Sequence, residues 1–273
     1  FRVKDEKTGE KASAVTTTLS TQQLNQYERD GILFPIRVFS SDEASLFRRQ
    51  VQSVAANCGE SPKRLDGLHL FFDWAHRLVT HEALLNAVED VLGGNILVDG
   101  SLVFYKPARD SSYVSWHQDS VYSGWHQTPS TSAWIALTAS HRANGCMRAI
   151  PGSHKLGLMT HANVRDDLNL LVRGEQVATV DDTRAVDVVL RPGEMSFHHS
   201  NLVHGSNPNE SDEPRIGFIV RFVTNQIANR DRPLLRVRGA ADCTHLSLAE
   251  PPAEPGEQPP PARRDRDQLP RRP

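Results

Sequence analysis

Three cysteines in 273 residues, Cys58, Cys146 and Cys243, are an odd and scattered set with no CxxC pair. That excludes a disulfide framework or a cysteine-built zinc site and reads as reduced thiols in a cytoplasmic protein. No apolar run approaches the roughly 18 residues of a membrane span. The opening stretch, FRVKDEKTGEKASAVTTTLS, has no apolar segment of the kind a signal peptide needs. An excess of one charge is also missing: 31 Lys and Arg against 33 Asp and Glu give a formal net charge of −2. Neither nucleic acid nor an anionic membrane is expected as a partner. No internal repeat and no marker of an oligomeric state is present. The 38% of hydrophobic residues, with both charge signs interspersed, suits a soluble globular protein.

Residues 1–19 read as a polar arm. STQQLNQYERDG follows, with Ser20 or Thr21 as N-cap, Leu24 and Tyr27 on one face and Gly31 as the stop. ILFPIRVF reads as a strand that Pro35 confines to an edge or a bulge. Residues 42–57 have helical periodicity through Ala44, Phe47, Val51 and Val54. Leu84, Leu85, Val88 and Leu92 mark another helix, ended by Gly93 and Gly94. Thereafter NILVDGSLVFYKP, TSAWIALTA, CMRAIPGS, AVDVVLRPGEMSFHH and RIGFIVRFVT are short β-rich runs between Gly, Pro, Asn and Asp turns. Helices first and strands second predict an α+β fold, a β-sandwich or jelly roll flanked by N-terminal helices. The domain is expected over 20–250. Residues 251–273, with eight prolines in 23 positions, read as a disordered tail.

The chemistry concentrates in VSWHQDSVYSGWHQ, residues 114–127. On a strand His117 and Asp119 share a face and Gln118 points away. With one further histidine they have the composition of a 2-His-1-carboxylate iron site, which leaves metal positions open. The same triplet also fits an exposed strand with satisfied polar side chains. For the third ligand His198, His199 and His204 compete. His204 is preferred because Gly205 and Ser206 after it read as a turn reversing the chain. The next strand places Arg215, Gly217, Ile219 and Arg221 on one face, with Ile216, Phe218, Val220 and Phe222 on the other. Two arginines on one face suit an interior that holds a dicarboxylate, or else a water-facing edge.

YVSWHQD, AWIAL, NGCMRAIPGSHK, LRPGEMSFHH and LVHGSNPN, followed by Arg215, together resemble the phytanoyl-CoA dioxygenase family of Fe(II)/2-oxoglutarate oxygenases. The pieces stand in the family's order over residues 100–225, and LNQYERDGILF is similar to its N-terminal helix and strand. The wording is closest to the bacterial secondary-metabolism branch that includes the syringomycin-type halogenases. The resemblance implies a double-stranded β-helix with iron held by His117, Asp119 and His204. It also implies that Arg215 pairs with the distal carboxylate of 2-oxoglutarate, assisted by Ser206. Family halogenases carry Ala or Gly in place of the carboxylate, so Asp119 implies hydroxylation. 2-Oxoglutarate and O2 would be converted to succinate and CO2 while an unactivated C–H bond of a natural-product-type small molecule is hydroxylated.

Around these residues Tyr105 and Trp134 are candidates to bond 2-oxoglutarate, with core packing as the alternative for Trp134. Trp116, Tyr122, Phe104, His198 and Arg221 are candidates for the substrate pocket or for supporting the ligands, and Trp125 and His126 lie nearby. Arg221, Arg148 and Lys106 could each engage an acidic substrate or be surface charges. Residues 156–187 read as an insertion that covers the site as a lid. Desaturation, epimerisation or cyclisation use the same cofactors. A zinc enzyme built on the same three residues and a non-catalytic jelly-roll binding protein are the competing readings. Arg215 and Ser206 speak against zinc, since a hydrolase has no need of a dicarboxylate clamp.

Overall fold

The computed structural model describes residues 18–58, 63–123, 128–171, 173–228 and 232–252. The arm expected over 1–19 and the tail expected over 251–273 lie almost entirely outside the described residues, as do residues 124–127 and the side chain of Tyr122. The chain opens with α1 (Thr21–Asp30), β1 (Ile32–Arg37) and α2 (Ser41–Asn57). Then come β2 (Arg64–Asp66), α3 (Asp73–Val79), α4 (Glu82–Leu92), β3 (Ile96–Lys106), β4 (Val114–His117) and α5 (Ser120–Ser123). Short strands follow: β5 (Ser130–Ala136), β6 (Met147–Ala149), β7 (His161–Asn163), β8 (Glu175–Val177) and β9 (Val186–Asp187). The last are β10 (Glu194–His199), β11 (His204–Ser206), β12 (Arg215–Thr224), β13 (Leu234–Arg238) and β14 (Leu248–Ala249).

Ser20 and Ser40 open α1 and α2 through capping boxes with Gln23 and Glu43, so the first orphan N–H groups of both helices are satisfied locally. Gly31 closes α1 in the left-handed region at φ 72°. The strands form one large sheet in the order β1-β10-β5-β12-β3-β13-β14, with β2 also on β3. A second sheet runs β4-β11-β6-β9, and β7 and β8 pair as a hairpin. β1 is an edge strand, and its register with β10 slips between Leu33 and Ile36, where Pro35 sits.

Alternation along β12 decides where everything else goes. Ile216, Phe218, Val220 and Phe222 point to one side, where they pack with Phe47 and Val51 of α2, Leu78 of α3 and Leu84 and Val88 of α4. Ile219 points to the other side and packs with Leu102, Trp134, Met147 and Ala149, apolar residues of both sheets. The helices therefore cover the outer face of the large sheet, and the inner face meets the small sheet. This is the α+β jelly roll expected from the order of elements. No helix among the described residues is long and apolar enough to cross a membrane.

Two local expectations are corrected. Gly205 and Ser206 belong to β11, and the chain reverses only in the segment between β11 and β12. A glycine is needed at 205 because a Cβ there would lie 2.8 Å from the carbonyl oxygen of Val114 on the neighbouring strand. Asp119 lies two residues past the end of β4, although the alternation of side chains persists through it. Strands β2, β13 and β14 and helix α3 are not expected from the sequence, since each is short or lacks a side-chain cap.

Residues 156–187 contain the β7–β8 hairpin and are tied to β4. Ser115 Oγ donates to Glu175 O at 2.9 Å, Asn169 Nδ2 donates to Ser115 Oγ at 2.9 Å, and Tyr113 Oη donates to Asp166 at 2.6 Å. The Gln118 amide donates to Gly157 O and Asn201 O at 2.8 and 2.6 Å and accepts from the Met159 N–H at 2.8 Å.

Gly217 stands where a Cβ would come within 2.1 Å of the Trp134 ring. Gly217→Ala is expected to destabilise the fold by about 1–3 kcal/mol through overpacking, read as a lowered midpoint in urea unfolding.

Candidate metal centre and pocket

β4 and β11 run antiparallel with His117 directly opposite His204, and the two imidazoles stand 4.1 Å apart between ring centroids. Each ring is fixed in the same way. Nδ1 of His117 donates to Ser115 O at 2.9 Å and Nδ1 of His204 to Leu202 O at 3.0 Å, a carbonyl two residues upstream in both cases. With Nδ1 protonated, each Nε2 is left with its lone pair, the form a metal ligand needs. Asp119 closes the triangle: one donor atom from each of His117, Asp119 and His204 lies within 4.8 Å of the others, and all three residues are buried.

The protonation states suit a divalent cation. Burial pushes His117 down to about 4 and His204 well below its ordinary range, so both rings are neutral. Burial alone would raise Asp119, but the Arg221 guanidinium and the His198 hydrogen bond prevail and hold it well below the usual carboxylate range. Its Oδ2 accepts from Ser132 Oγ at 2.7 Å and from His198 Nε2 at 3.3 Å. Its Oδ1 lies 3.8 Å from His117 Nε2 and 3.6 Å from Arg221 Nη2. Two neutral imidazoles and one oriented carboxylate are a fitting donor set for iron(II).

The three residues open into a cavity between the two sheets. The large sheet contributes Phe104, Trp134, His198, Arg215, Ile219 and Arg221, and the small sheet contributes Val114, Met147 and Ser206. Arg215 is 1% exposed. Its Nη1 donates to Gly145 O at 2.8 Å, its guanidinium lies 5.2 Å over the Trp134 ring, and its Nε has no partner among the described residues. Lys106 faces Arg215 across the β3–β12 ladder and donates to Ser206 Oγ at 2.8 Å and to Asn207 O.

The fold brings together the expected His117, Asp119, His204, Arg215, Ser206, Trp134, Phe104, His198 and Arg221. Two expected residues point elsewhere. Tyr105 is paired with Ile216 and packs into the core under the helices, because β3 alternates and Phe104 takes the cavity side. Trp116 lies between Ser115 and His117 on β4, so its ring turns away from the cavity to pack with Ile150, Val177 and Val203, beneath Arg148 at 5.4 Å. Arg148 is engaged with Asp187, and His199 is turned toward His154 at 5.2 Å between ring centroids. Ser132, Val114, Met147 and Leu171 are lining or supporting residues that the sequence reading did not single out. Ser132 had a usable signal: it lies two positions before Trp134 in TSAWI and therefore on the same face.

Known proteins and solved structures resemble this chain. A probable alpha-ketoglutarate-dependent hypophosphite dioxygenase of Stutzerimonas stutzeri is 30% identical over 169 residues, covering 60% of this chain and 59% of that protein. The chain thus spans less than two thirds of that relative. The ectoine dioxygenase of Halomonas elongata is 26% identical over 239 residues, covering 78% of this chain and 71% of the relative. Among solved structures the apo form of ThoJ, a non-heme monooxygenase, is 31% identical and superimposes with a TM-score of 0.73, covering 84% of this chain and 88% of that one. Iron, 2-oxoglutarate and O2 are accordingly the cofactor and co-substrates. The sequence model described as phytanoyl-CoA dioxygenase (PhyH) matches residues 18–217, a span that holds every residue of the triad and Arg215, and the chain belongs to that family.

Proposed function

We propose that the protein hydroxylates an unactivated C–H bond of a small molecule in specialised metabolism, with His117, Asp119 and His204 as the iron ligands. The observation that carries this reading is the complete triad: Asp119 is present, buried and oriented, so a protein carboxylate fills the position that a halide would need. Bound iron(II) with 2-oxoglutarate supplies the oxidation, in which one atom of O2 goes to the substrate and the other to succinate as CO2 leaves. Arg215 would receive the distal carboxylate of 2-oxoglutarate, with Ser206 beside it. Trp134 backs the Arg215 guanidinium and keeps it facing inward. His198 and Ser132 hold Oδ2 of Asp119 and so orient the carboxylate.

Leu102, Phe104, Ile219 and Leu171 keep the cavity apolar around the reacting centre and exclude water from it. Arg221 adds a cation to the cavity lining, which suits a substrate bearing an acidic group. The relatives named for hypophosphite and ectoine support a small polar substrate, and the name of ThoJ supports a monooxygenation outcome. Residues 20–250 are taken as one catalytic domain in which 156–187 is the lid, with Leu171 reaching the cavity. A cytoplasmic location is part of the same reading and draws on three free thiols.

Anaerobic protein titrated with Fe(II) and 2-oxoglutarate is expected to develop the visible charge-transfer band of the ternary complex. His117→Ala abolishes it, and Arg215→Ala raises the 2-oxoglutarate concentration needed by roughly tenfold or more, the loss of a charge-assisted pair. Properly loaded wild-type protein with no band would overturn the reading. Limited proteolysis is expected to cut within 156–187 in the free protein and to be slowed by Fe(II) with 2-oxoglutarate. A segment equally protected in both conditions is not a lid.

A further inference from the structure

Most of the cavity wall is tied together by backbone ladders. β3, β12, β5 and β10 pair in succession on one side, and β4, β11 and β6 on the other. At the edge where β1 meets the segment after β9, Ile32, Val188, Leu190 and Leu202 belong to one buried apolar cluster and seal it. The opposite edge lies between β2, which pairs with β3, and β4, which ends the small sheet. No ladder joins those two strands. Residues 168–171 lie between them instead, and Leu171 lines the cavity.

That segment is fastened unequally. Toward the small sheet, the Tyr113 N–H donates to Leu168 O at 3.0 Å and the Leu170 N–H to Tyr113 O at 2.9 Å. Asn169, 2% exposed, accepts from the Ser115 N–H at 3.3 Å and donates to Ser115 Oγ at 2.9 Å. Toward the large sheet a single bond stands among the described residues, from Arg64 Nη1 to Leu170 O at 3.4 Å, the long limit for such a bond. Arg64 faces Phe104 across the β2–β3 ladder, and its guanidinium lies 5.8 Å from the centre of that ring. Its Nε and Nη2 donate to the exposed Asp66 at 2.8 Å each, so the side chain is held in place from its own strand. One arginine thus touches Phe104, which lines the cavity, and the carbonyl next to Leu171, which also lines it. A segment with four bonds on one side and one long bond on the other opens first on the weaker side.

Strand register shows what lies behind this seam. Phe104 pairs with Gly217, which shares a face with Arg215, and Val114 pairs with Ser206. The seam therefore leads to the part of the cavity that Arg215 and Ser206 line. We propose that the seam between β2 and residues 168–171 is the passage by which 2-oxoglutarate enters and succinate leaves. Phe104 and Leu171 are its two sides, and Arg64 is the positioning residue that holds them together. This rests on the reading of the protein as a 2-oxoglutarate oxygenase. Because residues 168–171 stay bound to Tyr113 and Ser115 when the seam parts, one dicarboxylate can replace the other without disturbing β4 and β11. Those strands carry His117 and His204, so the iron ligands keep their places through each exchange.

The test is stopped-flow mixing of anaerobic, Fe(II)-loaded protein with 2-oxoglutarate, followed by the charge-transfer band. The slope and intercept of the observed rate against concentration give association and release. Arg64→Met keeps an apolar stem and loses the bond to Leu170, so both rates are expected to rise about three- to tenfold. Kd should stay within about twofold, since a passage changes how fast equilibrium is reached and not where it lies. Leu171→Ala should also raise both rates and Leu171→Trp should lower both. Rates in Arg64→Met equal to wild type would overturn the proposal. So would faster release with unchanged association, which would mean that Arg64 acts on the bound ligand. If Arg64→Met does not fold, equal rates in the two Leu171 variants overturn it just as well. Loaded wild-type protein that gives no band at all overturns the oxygenase reading instead of the passage.

Discussion

The pairing of β4 with β11 is the constraint on which the site depends. It sets His117 against His204, and a slip of one residue on either strand would turn that imidazole out of the cavity. Register here is held from both sides. Gly205 lets the two backbones approach to a distance that a side chain would forbid, and β6 on the far edge of β11 pairs Ala149 with His204 and Met147 with Ser206. The local carbonyls of Ser115 and Leu202 then orient the rings. A three-strand ladder thus sets two of the three ligands of the metal site, His117 and His204.

The large sheet does different work. Its outer face is committed to the helices through Phe218, Val220 and Phe222, so its inner face is free to carry polar groups at positions of the opposite parity. Arg215, Arg221, Ser132 and His198 all use that freedom, and each either touches Asp119 or faces the same cavity. Burial makes these groups expensive individually. Their grouping around one carboxylate and one cavity offsets part of that cost through charge pairing and hydrogen bonding.

Much of this was legible in the sequence because strand alternation is a strict rule. The two faces of RIGFIVRFVT, the helices at 21–30, 41–57 and 82–92, and the edge position of the Pro35 strand follow from periodicity and breakers alone. Alternation through FYK and SWH turns Tyr105 away from the side of Phe104 and Trp116 away from the side of His117, against their expected place in the site. Aromatic identity was a poor guide there; parity was the better one. The Gly205–Ser206 pair misled for a different reason, since glycine serves close approach as well as turning, and only the neighbouring strand distinguishes the two. Contacts such as Ser132 with Asp119, or Lys106 with Ser206, join residues 13 and 100 positions apart and depend on how the sheets face each other.

Gln118, between the two ligands of HQD, is held by bonds of its own. Its amide nitrogen meets two carbonyl oxygens and its amide oxygen meets one N–H, so the position demands a side chain with two donors and an acceptor at fixed places. Glutamate, the same in shape, would set a carboxylate against the oxygens of Gly157 and Asn201. The identity of residue 118 is thus dictated by backbone on either side of it, and owes nothing to the metal that its two neighbours serve.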